Sequence, residues 1–433
     1  MMNKLESDRR QLTAVNSLVG LEVESHRVSP DGKLSMLPYP KALGDEKKHH
    51  FIKNDFLETQ SEMITPPVSS SGDALKYLGD YQQALRHALA PGELMWPYSM
   101  PPKIRADHSD IRIAQTDRAS YEYRLVVAKR RIIERTSECG VHVNLGFTNE
   151  GLKALGITSK EQEDHAYLKA AIGFFKYRWL LTYLFGSTPF AFDNYFDEQT
   201  TSNIPKGALR SIRNSHFGYG NGVPGSYKSV TDYVNTIEKA VRDKDLIADR
   251  EYYGIVRLKG GSELEDIESG GIKYIELRTM DLDPLNTLGI SKQAIDWIKL
   301  MFAYFVANGD EPGPDTDKNI AQYEKKNDAV ALEQADQPTQ FKEEGLEFID
   351  RLNEFTSESH EDFADPQLLS EMKDRFNDPQ KTASATLMGK LKSWDVQNLF
   401  EFLTEKSKDY QKYFLSKPLM GFENETKMNK VKS

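Results

Sequence analysis

Residues 19–28 read VGLEVESHRV, and the alternation in this stretch decides the fold. Successive side chains of a strand point to opposite sides, so Leu21 and Val23 face one way and Glu22 and Glu24 the other. Three further stretches carry the same signature. In KYIELRTM (273–280), Ile275 and Leu277 share a face, with Glu276 and Arg278 opposite. In CGVHVNLGF (139–147), Val141, Val143 and Leu145 alternate against His142 and Asn144. In FIKNDFLETQSEMITP (51–66), Glu58, Gln60 and Glu62 fall on one face if the run is extended, with Asp55 just before it. One apolar and one polar side per strand is the pattern of an antiparallel sheet covered on a single face. Helical runs between the strands make the class α+β.

Any one of these polar sides reads as an ordinary solvated face. Together they are too acidic for that, and they add imidazole and guanidinium. If the strands are neighbours, five carboxylates (Glu22, Glu24, Asp55, Glu62 and Glu276) converge on one surface. Like charges so close repel or take up protons unless cations sit between them. Hard oxygen donors with one histidine, His142, suit Mg²⁺ or Mn²⁺. A single cysteine, Cys139, excludes intrachain disulfides and thiolate zinc sites, and reads as a small buried apolar residue.

Composition narrows the function classes. The chain has 433 residues, 66 of them acidic and 56 basic, a formal charge of −10. That balance argues against a dedicated nucleic-acid binder and offers nothing to an anionic membrane. Hydrophobic residues make up 39%, enough for a substantial core. Apolar runs are far shorter than the ~18 residues of a spanning helix, and MMNKLESDRRQ at the start has no apolar signal segment, so a cytoplasmic protein is expected. There is no GxxxxGK[ST] loop, which excludes a P-loop nucleotide site. The glycine-rich run FGYGNGVPG (217–225) lacks the strand–turn–helix context of a dinucleotide fingerprint. Arg210, Arg213, Arg257 and Lys259 are scattered basic residues that, beside a metal cluster, would serve a polyphosphate.

In this order, GLEVESHRV, NDFLETQSEMITP, ELMWPYSMPP, the Tyr123-Arg124 pair, CGVHVN and YIELR resemble glutamate–cysteine ligases of the bacterial type, including the ligase half of fused glutathione-making enzymes. The resemblance covers roughly residues 17–290. It implies a glutamine synthetase-like fold, a curved antiparallel sheet with surrounding helices and magnesium on its concave face. It also implies ATP-dependent ligation of L-glutamate to L-cysteine through γ-glutamyl phosphate, the alternatives being a related carboxylate–amine ligase with a different amine acceptor or a non-catalytic homologue. By position, Glu22, Glu24, Asp55, Glu62, His142 and Glu276 match metal-binding residues. Arg213 and Arg278 match arginines that act on the transferring phosphate. Tyr123, Tyr219 and Tyr253 match aromatic positions of the cysteine pocket, with Arg257 as a further substrate-binding residue. No residue identifies itself as the base for the amine. The run 218–225 is the expected closing loop.

The expected division is a catalytic ligase domain at 1–307, a polar connection at 308–340 and a helical annex packed on the catalytic domain at 341–433. The connection begins NGDEPGPDTDKN, and the annex carries Phe341, Phe348, Ile349, Leu352 and Phe355 at helical spacing, then a helical block around 394–415. The polar tail after Phe422 reads as frayed. No second ATP-binding module is recognisable, so one ligation and no glycine addition is expected.

Overall fold

A computed structural model describes residues 17–418, apart from Asn221, Ser262 and 358–365. The expectations for the first eleven residues and for the tail after Phe422 lie outside the described residues.

Seven strands form the sheet: β1 (Ser17–Val28), β2 (Ile52–Asn54), β3 (Gln60–Ile64), β4 (Leu94–Met95), β5 (Val141–Phe147), β6 (Val256–Lys259) and β7 (Tyr274–Met280). The order is β2-β3-β1-β5-β7-β6, with β4 paired to the end of β1. All of these pairs are antiparallel. The alternation read from sequence holds: Leu21, Val143, Leu145, Ile275 and Leu277 are fully buried in one core.

The longer helices are α1 (Ser71–Ala88), α2 (Arg118–Arg130), α3 (Lys160–Phe185), α4 (Val230–Arg242), α5 (Lys292–Asn308), α6 (Thr316–Ala331), α7 (Lys342–Ser357), α8 (Pro366–Asn377) and α9 (Val396–Leu415). Helix α3 starts with a capping box between Ser159 and Gln162 and is apolar on nearly every side from Ala166 onward. A helix of that kind has to be interior, and α3 packs between the sheet and α6.

Two local expectations change. Residues 55–59 turn instead of continuing a strand, so Glu58 leaves the polar face. It accepts from the Tyr39 amide at 2.9 Å and lies 4.0 Å from buried Arg27. The stretch 308–340 is not a bare connection, because its middle is α6, with Ile320, Val330 and Ala331 buried. Its polar residues face polar partners: Asn327 donates to the Asn214 carbonyl at 2.8 Å, and Glu324 pairs with Arg178 at 2.8 Å. A helix whose polar side chains are satisfied inside the protein has the composition of a loop, which is why residue counts misplace it.

In the annex, Phe348, Ile349, Leu352 and Phe355 of α7 are buried in the same core as the sheet, and Phe348 stacks on Tyr177 at 3.9 Å. Helix α9 places Leu399 and Leu403 with Trp96 in a second cluster. No helix among the described residues is long and apolar enough to cross a membrane.

Candidate active site

Strand register assembles the polar face. Glu22 lies opposite His142, and Glu24 opposite Glu62. Glu276 lies opposite Asn144 on one side and Arg257 on the other. Lys53 of β2 sits across from Glu62. Residues far apart in the chain thus become cross-strand neighbours.

All of these except Asn144 line one cavity of about 310 Å³. All six residues expected to bind metal are there, with Tyr123, Tyr219, Tyr253, Arg257 and Arg278. Glu22, His142 and Glu276 each offer a ligand atom, and these atoms lie within 4.8 Å of one another. Asn144 donates to Glu22 at 2.9 Å, and His142 Nδ1 stands 3.4 Å from both Glu22 and Glu276. Burial and the nearby Arg278 hold the His142 imidazolium below its ordinary range, so the ring is neutral and carries a lone pair for a metal. The donor set, oxygens plus one neutral imidazole, fits a hard divalent cation.

The second acidic group is Glu24, Asp55 and Glu62. Burial pushes the Glu62 carboxyl up to about 8, against the attraction of Lys53, whose Nζ is 3.2 Å away. Burial, then Asp55 and Glu62, raise Glu24 well above the carboxylate range. The raised Glu24 and Glu62 carboxyls hold a proton more readily than an ordinary carboxylate, one of the two alternatives that their convergence predicts.

The arginines differ in place. Arg278 pairs with Glu276 through Nη1, and its guanidinium lies 4.8 Å from the Tyr253 ring. Arg257 Nε has no hydrogen-bond partner among the described residues. Arg213 lies deeper, donating to the Met280 and Arg278 carbonyls at 3.3 and 3.2 Å and pairing with Asp281 at 3.4 Å. It lines an adjoining cavity shared with Tyr219, Tyr253 and Arg278. Arg210, just upstream, belongs elsewhere: it is fully buried, paired with Glu333 at 3.0 Å and set over the Tyr183 ring. Tyr219 and Tyr253 meet edge to face at 4.7 Å, and Arg250 covers Tyr123 at 3.8 Å. Gly218, Gly220 and Gly222 line the adjoining cavity. Cys139 is fully buried in the core, as expected.

Sequence reading missed Lys53, Glu138, Arg250 and Arg135, which also line the cavity. Lys53 had a signal, two residues before Asp55 in the same extended run. Arg135 and Arg250 lie in short 3-10 helices and Glu138 at the end of one, elements too short to show a period.

A family model for glutamate-cysteine ligase matches residues 2–246 and 243–330. The bifunctional glutathione biosynthesis protein GshAB of Streptococcus agalactiae is 35% identical over 339 residues, 76% of this chain and 44% of that protein. GshAB of Streptococcus thermophilus is 32% identical over 426 residues, 95% of this chain and 54% of that protein. The chain therefore spans about half the length of these curated relatives. The crystal structure of a bifunctional glutathione synthetase from Pasteurella multocida superposes with a TM-score of 0.83 at 27% identity, covering 94% of this chain and 54% of that one. Glutamate–cysteine ligase of Francisella tularensis, solved with AMP, gives 0.83 at 21% identity over 94% of this chain and 90% of that one, a likeness of fold. The architecture is the glutamine synthetase-like one. The chain belongs to the glutamate–cysteine ligase family.

Proposed function

We propose that this chain ligates the γ-carboxylate of L-glutamate to the amine of L-cysteine at the expense of ATP, giving γ-glutamylcysteine, ADP and phosphate. The observation that carries this is the cross-strand set Glu22, His142 and Glu276, with Arg257 and Arg278 beside it in one cavity. Those groups together suit a metal-bound polyphosphate facing a carboxylate acceptor.

Glu22, His142 and Glu276 would hold one Mg²⁺ or Mn²⁺, and Glu24, Asp55 and Glu62 a second. A cation bound there supplies charge that holds the triphosphate. Arg278, with Arg213 behind it, neutralises the transferring phosphoryl group, the principal protein task in such transfers. Arg257 engages substrate from β6. The product of this step is γ-glutamyl phosphate, which the cysteine amine attacks. Tyr123, Tyr219 and Tyr253 form the acceptor side, and the 218–225 run shields the acyl phosphate from water. The catalytic domain of 1–307 is supported by the described helices of the annex proposed for 341–433, α7 against α5 and α9 against α1. All phosphate-handling groups among the described residues belong to this one constellation, so a single ligation is proposed.

The test is ATP turnover with glutamate, with and without cysteine and with a chelator, followed by mass analysis of the product. γ-Glutamylcysteine formation that stops in excess chelator is the expected result. Full turnover under chelation, or a different amine preferred over cysteine, sinks the corresponding part of the reading.

A further inference from the structure

The reaction just described leaves one proton without a destination. An α-amine is an ammonium ion at neutral pH and cannot attack until a base removes a proton. The metal-facing carboxylates are unsuited to this, because cations compete for them. Two cavity-lining carboxyls stand apart from both acidic groups; Glu251 is paired with Arg131 at 2.7 Å, which leaves one that no such ion pair occupies among the described residues.

That carboxyl is Glu138, 8% exposed, at the end of the turn that precedes β5. Its backbone is pinned: Gln60 Nε2 donates to the carbonyls of Thr136 and Glu138, each at 3.0 Å. Its side chain is aimed by Oε1, which accepts from the Tyr195 hydroxyl and, at 3.1 Å, from the Tyr219 amide. Both bonds fall on one oxygen and leave Oε2 outside them. Tyr219 is the residue whose ring, with Tyr253, forms the acceptor side, and Arg213, the arginine assigned to the phosphoryl group, is near enough for its charge to act on Glu138. Glu138 is therefore held by the backbone of the acceptor side and feels the charge of the phosphoryl arginine.

Resting on the function proposed above, we infer that Glu138 is the general base that deprotonates the acceptor amine. Oε2 takes a proton from the ammonium, breaking one N–H bond and forming O–H. The freed amine attacks the carbonyl carbon of γ-glutamyl phosphate, forming C–N as the C–O bond to phosphate breaks. The second amine proton leaves with the phosphate as hydrogen phosphate, and the Glu138 proton returns to solvent.

The groups facing the carboxyl are Tyr195, Tyr219, Arg213 and Arg135. Burial pushes Glu138 up to about 7, against Arg213 and the two hydrogen bonds. A base of that strength is half-ionised near neutrality, where general bases work best.

The experiment compares the full-length protein with Glu138→Gln, a substitution that keeps the shape and an acceptor oxygen for Tyr219. Each is assayed with ATP and glutamate, using cysteine or hydroxylamine as acceptor, from pH 6 to pH 9. Hydroxylamine is unprotonated at neutral pH and needs no base, so its hydroxamate product reports activation of glutamate alone. Glu138→Gln is expected to lower turnover with cysteine by roughly 10²–10⁴-fold. Hydroxamate formation should stay within a few-fold, which also shows that the variant is folded. The acidic limb of the cysteine profile should move with the substitution. Equal loss with both acceptors, or retained turnover with cysteine and an unchanged profile, overturns the assignment. Neither product from the unsubstituted protein overturns the proposed function itself and removes this inference with it.

Discussion

At one end of the polar face, Glu276 is surrounded by Arg278, Arg257 and Lys259, and these cations outweigh its burial and hold its carboxyl far below the ordinary range. At the other end, Glu62 has Lys53 close by, while Asp55 and Glu22 add to its burial and raise it to about 8. Both are buried glutamates of one sheet, on β7 and β3, with β1 and β5 between them. Position relative to fixed cations decides their charge. The first end is already neutralised by the protein, and the second is the one where an added divalent cation changes most. The face is thus graded in how far the protein itself compensates its carboxylates.

The strongest way to break this contrast is to remove one carboxylate at each end. Glu276→Gln leaves Arg278 buried beside Tyr253 without its ion pair. Losing one partner of a buried pair is destabilising by about 3–5 kcal/mol. Turnover should fall by several orders of magnitude. Glu62→Gln should act oppositely on stability in chelator, because it removes a charge whose burial and repulsions are unfavourable. The sign follows from the raised carboxyl: its contribution is present below about 4.5 and lost as pH rises through about 8. The gain from Glu62→Gln is therefore expected at pH 9 and absent at pH 4. Urea midpoints of both variants in chelator check this, and shifts in the same direction at pH 9 refute the contrast. With Mg²⁺ at a hundred-fold excess over its dissociation constant, the unsubstituted protein should gain about 2.7 kcal/mol, and Glu62→Gln less.

The next effect concerns the shared arginine. Arg278 serves Glu276 directly and lowers Glu24 from a distance. Arg278→Lys keeps the charge and loses the planar fork. Its turnover should fall by roughly 10²–10³-fold, equivalent to ~2.7–4 kcal/mol of transition-state stabilisation, with folding retained. Near-normal kcat would show that charge alone suffices at this end.

Much of this was readable before any coordinates, for a definite reason. A strand has a period of two, so VGLEVESHRV, CGVHVNLGF and YIELR declare which residues share a face. That alternation places Glu22, Glu24, His142, Glu276 and Arg278 together as soon as the strands are taken as neighbours. Asp55 reaches the cavity from a turn, where alternation gives no direction, and the same turn takes Glu58 away. Glu138, Arg135 and Arg250 lie outside the strands, and nothing local predicts their aim. Helix α6 was hidden because Asp317, Glu324 and Asn327 satisfy polar partners on other elements, so it lacks an apolar stripe. Arg210 and Arg213, three residues apart, part company through tertiary partners, Glu333 for one and Asp281 for the other.

A smaller effect separates Glu138 from both acidic groups. Its carboxyl is raised from about 4.5 to about 7 by burial, with Arg213 opposing. A carboxyl raised on folding stabilises while protonated, so this contribution is full below pH 4.5 and is lost as pH rises through 7. The loss is on the order of 3 kcal/mol. Glu138→Gln should unfold at the same urea concentration as the parent at pH 4.5 and at a higher one at pH 8. A difference that does not change with pH would mean that the carboxyl is ionised throughout.

The smallest expected effect tests where the cation behind Glu24 is held. Gly140 packs directly on the Arg213 guanidinium, and a Cβ built there would stand 2.2 Å from Nη2. No side chain fits without moving a group that is fixed by the Met280 and Arg278 carbonyls and by Asp281. Gly140 is therefore glycine for close approach and not for an unusual backbone angle. Overpacking of this kind costs about 1–3 kcal/mol. Gly140→Ala should lower the urea midpoint accordingly. Because Arg213 is one of the charges that offset the rise in Glu24, displacing it leaves the second acidic end more negative, and the variant should bind a divalent cation there more tightly, read by titrating the protection that Mg²⁺ gives against unfolding. Adding Arg213→Met should then change little more, since the guanidinium has already been displaced. If the two substitutions were instead additive in both readouts, Gly140 and Arg213 would act independently, and the second acidic end would depend on Lys53 and on the metal for its counter-charge.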